Sequence, residues 1–394
     1  MNKFKIIIFH PSSYFGGASV LFSRIYNHAM VNNINLIYID EEDGYTKSRN
    51  MNSKNIYTLS QNLNNLITND DIIICTTTQI NMMKKYLSNI TKNPKVILWV
   101  VHPYEASIYF FKGIHKAFKS PLKYVMSKFL VNLQYRKKNK LVKFINAQSG
   151  NSLFFMDASC INATNYFLNT KIATASENII PIPYKSDFQP LKKNKNIEKN
   201  IINIAYFGRV EDFKTAPIIS LLQELSELRI KEKIVFHIIG GGRSLPHIMN
   251  KFDKKLTIVS LGMMENQKAK IYINDQVDIL FAMGTAAIDG ASIGTATVML
   301  NASNSIKKQQ YDWLYLSNGF SLGDYIDSPW FISPSKTLYD IIQDWKINHE
   351  LISAYGEQYV IKNHDIDAVM KKLISKAEKV NLRLDDLINN HIFY

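Results

Sequence analysis

Short apolar runs rich in isoleucine and valine recur along the chain, separated by longer stretches in which apolar residues return every three or four positions. The runs are Lys5 to Phe9, Asn35 to Ile39, Asp71 to Thr76 and Lys95 to Val101, then Ile201 to Phe207, Lys233 to Ile239, Lys255 to Val259, Val277 to Ala282 and Thr297 to Asn301. Runs that are apolar on both sides predict strands buried on both faces of a parallel sheet. The intervening stretches, such as Ala18 to Met30 and Pro217 to Leu228, carry the helical period. Alternation of the two predicts repeated βα units, hence an α/β protein with doubly wound sheets. The pattern occurs twice, in two halves.

Between the halves lies Asn178-Ile-Ile-Pro181-Ile-Pro183-Tyr184, followed by a polar, lysine-rich stretch from Lys192 to Asn200. Prolines hold the chain extended and a polar run cannot join a core, which predicts a domain boundary there. The expected domains are residues 1–185 and 186–365. Beyond Asp365, Val369, Leu373, Ile374, Ala377 and Val380 fall on one helical face, so residues 366–394 predict a closing amphipathic helix that returns toward the N-terminal domain.

At 394 residues the chain fits two domains of about 200 residues each. Its net charge of +14 implies an anionic partner: nucleic acid, a membrane surface or a phosphorylated substrate. Cys75 and Cys160 are its only cysteines; they match no disulfide framework or zinc spacing and suggest a reduced, cytoplasmic setting. The apolar run before His10 is too short for a signal peptide, and no run approaches the roughly 18–20 residues of a membrane span. The expectation is a soluble or peripheral protein.

Several segments at predicted strand ends could carry chemistry. Ile204-Ala-Tyr-Phe-Gly208-Arg209-Val-Glu-Asp-Phe-Lys214 hands a strand over to a loop bearing a planar fork of donors and a mobile point charge, a pair suited to a diphosphate. Surface pairing with Glu211 and Asp212 is the competing role, and exposed pairs contribute only about 0–1 kcal/mol. The Gly240-Gly241-Gly242 turn ends the next strand. Further on, Met283-Gly284-Thr285 opens a helix containing Asp289: its start could hold a phosphate while the carboxylate accepts from ribose hydroxyls. In the first half, Gly16-Gly17 opens a helix after His10, where backbone N–H groups can approach an anion; a tight βα connection would use the same residues. His102 stands at the end of a predicted strand, where open α/β sheets place ligand-binding groups.

In this order and spacing, these segments resemble the retaining GT-B glycosyltransferases, in particular the large family 4-like group that includes many bacterial capsule, O-antigen and phosphatidylinositol sugar transferases. The resemblance implies two Rossmann-like domains facing a cleft. It also implies Gly16-Gly17 toward the donor phosphates, His102 near the donor sugar, and Gly208, Arg209 and Lys214 on the diphosphate. The family's paired glutamates correspond to the region ending in Asp289 before Gly294-Thr-Ala-Thr-Val, with two departures: the second acid is aspartate, and eight positions earlier stands Phe281. The implied reaction moves a sugar from a nucleotide diphosphate-sugar to a hydroxyl of a glycan or lipid-linked glycan, with retention and with no metal or other cofactor. An epimerase of the same fold would need flanking acid and base carboxylates, for which no convincing pair stands out. A non-catalytic scaffold would need no diphosphate clamp.

One segment stands apart from that scheme. From Lys112 to Lys143 lysines interleave with Phe, Leu, Met and Tyr, and no acid occurs between Glu105 and Asp157. This composition suits either a helix in the interface of an anionic bilayer or a solvated basic face. No zinc finger, recognition helix or RNA-binding signature accompanies it, so a nucleic-acid partner is not expected.

Overall fold

A computed structural model of the chain describes residues 4–14, 16–107, 110, 122–185, 200–252 and 255–389. Residues 112–121 of the basic segment and 192–199 of the expected boundary lie outside them. Two compact units divide the chain: Met1–Tyr184 together with Ile366–Tyr394, and Lys185–Asp365.

The first unit is built on strands β1 (Ile6–Phe9), β2 (Leu36–Asp40), β3 (Ile56–Thr58), β4 (Ile72–Cys75), β5 (Lys95–Val100) and β6 (Leu153–Phe155). They form one sheet in the order β3-β2-β1-β4-β5-β6, parallel at every pairing. Strands β1 and β4 are buried along their whole length, as expected of isoleucine runs covered by helices on both faces. Helix Gly17–Val31 supplies Phe22 and Tyr26 to the core, where Phe22 meets Trp99 edge-on with ring centroids 5.9 Å apart. The same core takes in Val369, Leu373 and Ala377 from helix Ile366–Lys379, the closing amphipathic element. Burying side chains of this size contributes about 1.5–3 kcal/mol each, and Trp99 also donates its indole N–H to the Ile180 carbonyl at 3.1 Å.

The second unit carries β7 (Ile201–Phe207), β8 (Lys233–Ile239), β9 (Thr257–Gly262), β10 (Ile279–Ala282) and β11 (Ala296–Met299), in the order β11-β10-β7-β8-β9 and again all parallel. The predicted strands are all present, with ends shifted by up to three residues. The three-residue strands β3 and β6 and the long helix Leu338–His364 were not predicted. That helix opens with a capping box between Thr337 and Asp340 and rests on the sheet-covering helix Thr285–Ser292, where Gly356 lies close to Ala291. Among the described residues no helix is long and apolar enough to cross a membrane.

In both sheets the first strand sits between the second and the fourth, so the winding reverses between β1 and β4 and between β7 and β10. Loops leaving a parallel sheet on either side of such a reversal diverge and open a crevice at the carboxyl ends of the strands, which is where these folds bind ligands.

Candidate functional site

In the second unit, Phe207 of β7 is in register with Ala282 of β10 on one side and Ile239 of β8 on the other. Three turns therefore leave the sheet side by side: the one beginning at Gly208, the one at Gly240 and the one at Met283. The first two are knitted together by backbone. Gly208 N–H donates to Ile239 O, Val210 N–H to Gly241 O and Ser244 N–H to Val210 O. Glycine is required for this approach: a Cβ on Gly240 would lie 2.0 Å from the Gly208 carbonyl oxygen, and one on Gly242 2.3 Å from that of Val210. Gly208, Gly240 and Gly242 also hold φ values of 144°, 143° and 155°, which side chains disfavour.

Arg209 and Lys214 project from this framework. The Arg209 carbonyl is fixed by the Tyr206 hydroxyl at 2.8 Å, while its guanidinium pairs with Glu211 at 3.1 Å and is 64% exposed. The surface pairing considered from the sequence is thus present for Arg209, at a site where it contributes little. Lys214 differs. Its ammonium lies beside Gly208, 3.8 Å from where a Cβ would stand, and no described side chain hydrogen-bonds to it; the Asp212 side chain is outside the described residues. Burial, followed by the positive charge of Arg209, lowers its pKa to about 8 against a weaker pull from Glu211. The Arg209 charge disfavours the charged form of Lys214, and an arriving anion would favour it.

Gly284, with φ 66°, occupies the N-cap position of helix Thr285–Ser292 without a side-chain cap, and its own N–H donates to Leu322 O at 2.6 Å. Gly284 and Thr285 are half-buried, with the first-turn N–H groups at the mouth of the reversal. Asp289 lies one turn further and is 4% exposed. Its carboxylate is engaged by Lys270 Nζ at 3.1 Å and by Asn266 Nδ2 at 3.3 Å. The carboxylate expected for ribose hydroxyls is therefore turned, in this structure, to an ion pair with helix Asn266–Gln276. Gly290 beside it lets the helix lie flat on the sheet, since a Cβ there would be 2.1 Å from Leu280 Cδ2.

In the first unit, Gly16 and Gly17 follow β1 and open helix Gly17–Val31, again with no side-chain cap. His10, at the end of β1, is buried and held neutral, its pKa lowered to about 4 by loss of solvation; its Nε2 is 3.5 Å from Ser19 Oγ in the first turn of that helix. His102 follows β5 and is exposed. Its Nδ1 accepts from the Tyr104 N–H at 3.3 Å, so a neutral ring carries its proton on Nε2. Strand β4 lies between β1 and β5, which puts both groups at the carboxyl edge of one sheet.

No family model matches the sequence, and no curated protein matches it. Solved structures do. WaaB, a lipopolysaccharide outer core galactosyltransferase in its apo form, is similar with a TM-score of 0.56 at 12% identity, over 94% of this chain and 98% of that one. HepE of Anabaena, in complex with UDP and glucose, gives 0.55 at 10% identity over 96% and 100%. OtsA, a trehalose-6-phosphate synthase, gives 0.54 at 12% over 96% and 99%. The matches run over nearly the whole chain and so take in both of its parallel sheets. The chain has the GT-B fold. At these identities the likeness extends to the fold and no further.

Two organising residues of this GT-B chain had no place in the sequence reading. Asp40, at the end of β2, accepts backbone N–H donors from Ser12, Glu41, Thr46 and Lys47, shaping the loop that leads to Gly16. Gly44 leaves room for that carboxylate, because a Cβ there would fall 2.1 Å from it. Glu105 is buried behind His102, accepts from Val101 N–H at 2.6 Å, and is pushed up to about 8 by burial against those hydrogen bonds. Asp40 closes β2 and Glu105 follows β5, and an acid at or soon after a strand end is a signal visible in the sequence.

Proposed function

We propose that this chain is a glycosyltransferase that moves a sugar from a nucleotide diphosphate-sugar to a hydroxyl of a glycan or lipid-linked glycan in bacterial surface polysaccharide synthesis, with retention at the anomeric carbon. The observation that carries the reading is the pairing of Arg209 and Lys214 on a glycine-built loop at the β7/β10 reversal. As the sugar–phosphate bond breaks, negative charge grows on the departing diphosphate, and the two cations are positioned to stabilise it. Gly208, Gly241 and Gly284 bring backbone close to that diphosphate, and Thr285 adds a hydroxyl and a helix N-terminus. In the other unit, Gly16 and Gly17 serve the donor phosphates and His102 Nε2–H meets a sugar hydroxyl. With the charge met in this way, the scheme assigns no step to a metal. Asp289 acts by holding the helix that begins at Thr285.

The test is thermal stabilisation of the full chain by UDP, GDP, ADP, CMP and dTDP, with UDP tried first because HepE holds it. A ligand bound only by the native state, at a hundred times its Kd, stabilises by about 2.7 kcal/mol. The pH dependence has a definite sign. The lysine must be charged to hold an anion, and its free pKa is about 8. Affinity is therefore full below that value and falls as pH rises through it, by up to about tenfold per unit, while the nucleotide phosphate is already ionised with a second pKa of about 6. Lys214→Arg should flatten this fall. A diphosphate response that disappears in Arg209→Ala supports the reading; absence of any response overturns it in favour of a non-catalytic scaffold.

A further inference from the structure

Helix Leu122–Leu133 is apolar on two opposite faces. Tyr124, Ser127 and Val131 are buried against the body of the first unit, and Lys128 sits over the Tyr166 ring at 4.1 Å, which fixes the helix in place. Facing outward, Leu122, Val125, Phe129 and Leu133 are 52%, 59%, 54% and 63% exposed. Their spacing of three, four and four residues makes one continuous stripe. A helix needs only its inner face to pack on a protein, so a second apolar stripe is unexplained by folding.

The next helix, Tyr135–Gln148, turns a different chemistry outward. Arg136, Lys140 and Lys143 are exposed at helical spacing, while Lys138 turns inward and donates to Asn132 Oδ1 at 2.8 Å, tying the two helices together. No acid occurs in the chain between Glu105 and Asp157, and the net charge is +14. An apolar stripe continued by a basic one is complementary to a surface that is oily beneath and anionic above.

We propose that these two helices dock the chain on an anionic lipid bilayer, the stripe from Leu122 to Leu133 entering the headgroup–acyl boundary and Arg136, Lys140 and Lys143 meeting lipid phosphates. The proposal does not rest on the diphosphate reading. Co-sedimentation of the full chain with vesicles of equimolar phosphatidylcholine and phosphatidylglycerol, against pure phosphatidylcholine, tests it. The chain partitions into the anionic vesicles and is released by salt. Changing Arg136, Lys140 and Lys143 together to glutamine weakens partition about a hundredfold, at about fivefold per charge. Val125→Ser with Phe129→Ser weakens it about tenfold or more. All five positions are exposed, so both variants keep the wild-type melting temperature and the same response to nucleoside diphosphates. The proposal is overturned if the folded chain stays in the supernatant, if either variant partitions like the wild type, or if the serine variant instead dissolves a dimer of the chain.

Discussion

Arg209→Ala is expected to lower sugar transfer by about 10²- to 10³-fold, the range seen when one preorganised charge-stabilising group is removed from an active site. The loss should appear in kcat more than in KM, because on the proposed function the charge that Arg209 meets develops as the diphosphate leaves. Stability gives the contrast. The guanidinium is 64% exposed and pairs with Glu211 at the surface, so the melting temperature should move by no more than about 0.5 kcal/mol would produce. Arg209→Lys keeps the charge but loses the planar fork and should recover only part of the rate. Glu211→Ala removes the competing carboxylate and should leave transfer intact or raise it slightly. Initial rates with the donor identified by thermal shift check all three, and an Arg209→Ala protein that turns over like the wild type removes the diphosphate assignment.

The parallel sheets were legible because their strands are isoleucine-rich runs buried on both faces, and the glycines of the second unit were legible because they interrupt those runs at the carboxyl ends. β3 and β6 escaped for the opposite reason: three residues carry no measurable period. The helix Leu338–His364 dilutes its pattern, with a break in helical geometry at Asn348 and buried positions spread from Leu338 to His364. Charged side chains divided in the same way. Arg209 and Lys214 could be read together because they share one loop, and the effect of the Arg209 charge on Lys214 follows from that nearness. The partner of Asp289 lies 19 positions earlier on another helix, with nothing local to announce it. Position within the GT-B pattern suggested a ligand contact for Asp289, whereas packing has given its carboxylate to Lys270.

That ion pair sets the largest expected effect on stability. Lys270 and Asp289 have side chains 5% and 6% exposed and lie 3.1 Å apart, so removing Lys270 leaves the Asp289 carboxylate away from water without its cation. Lys270→Met is expected to cost about 3–5 kcal/mol. In a unit the size of Lys185–Asp365, that corresponds to a fall of roughly 6–20 °C in its melting transition, at about 2–4 °C per kcal/mol. Replacing both partners, Lys270→Met with Asp289→Leu, removes the stranded charge and should recover most of the loss. The two proteins also separate roles for Asp289. If the carboxylate acts by fixing the helix that starts at Thr285, the double variant regains diphosphate binding along with stability. If it instead meets the ribose, the double variant melts like the wild type yet binds the nucleoside diphosphate at least about tenfold more weakly, the loss of a hydrogen bond to a charged acceptor. Calorimetric melting and isothermal titration on the same preparations decide between them.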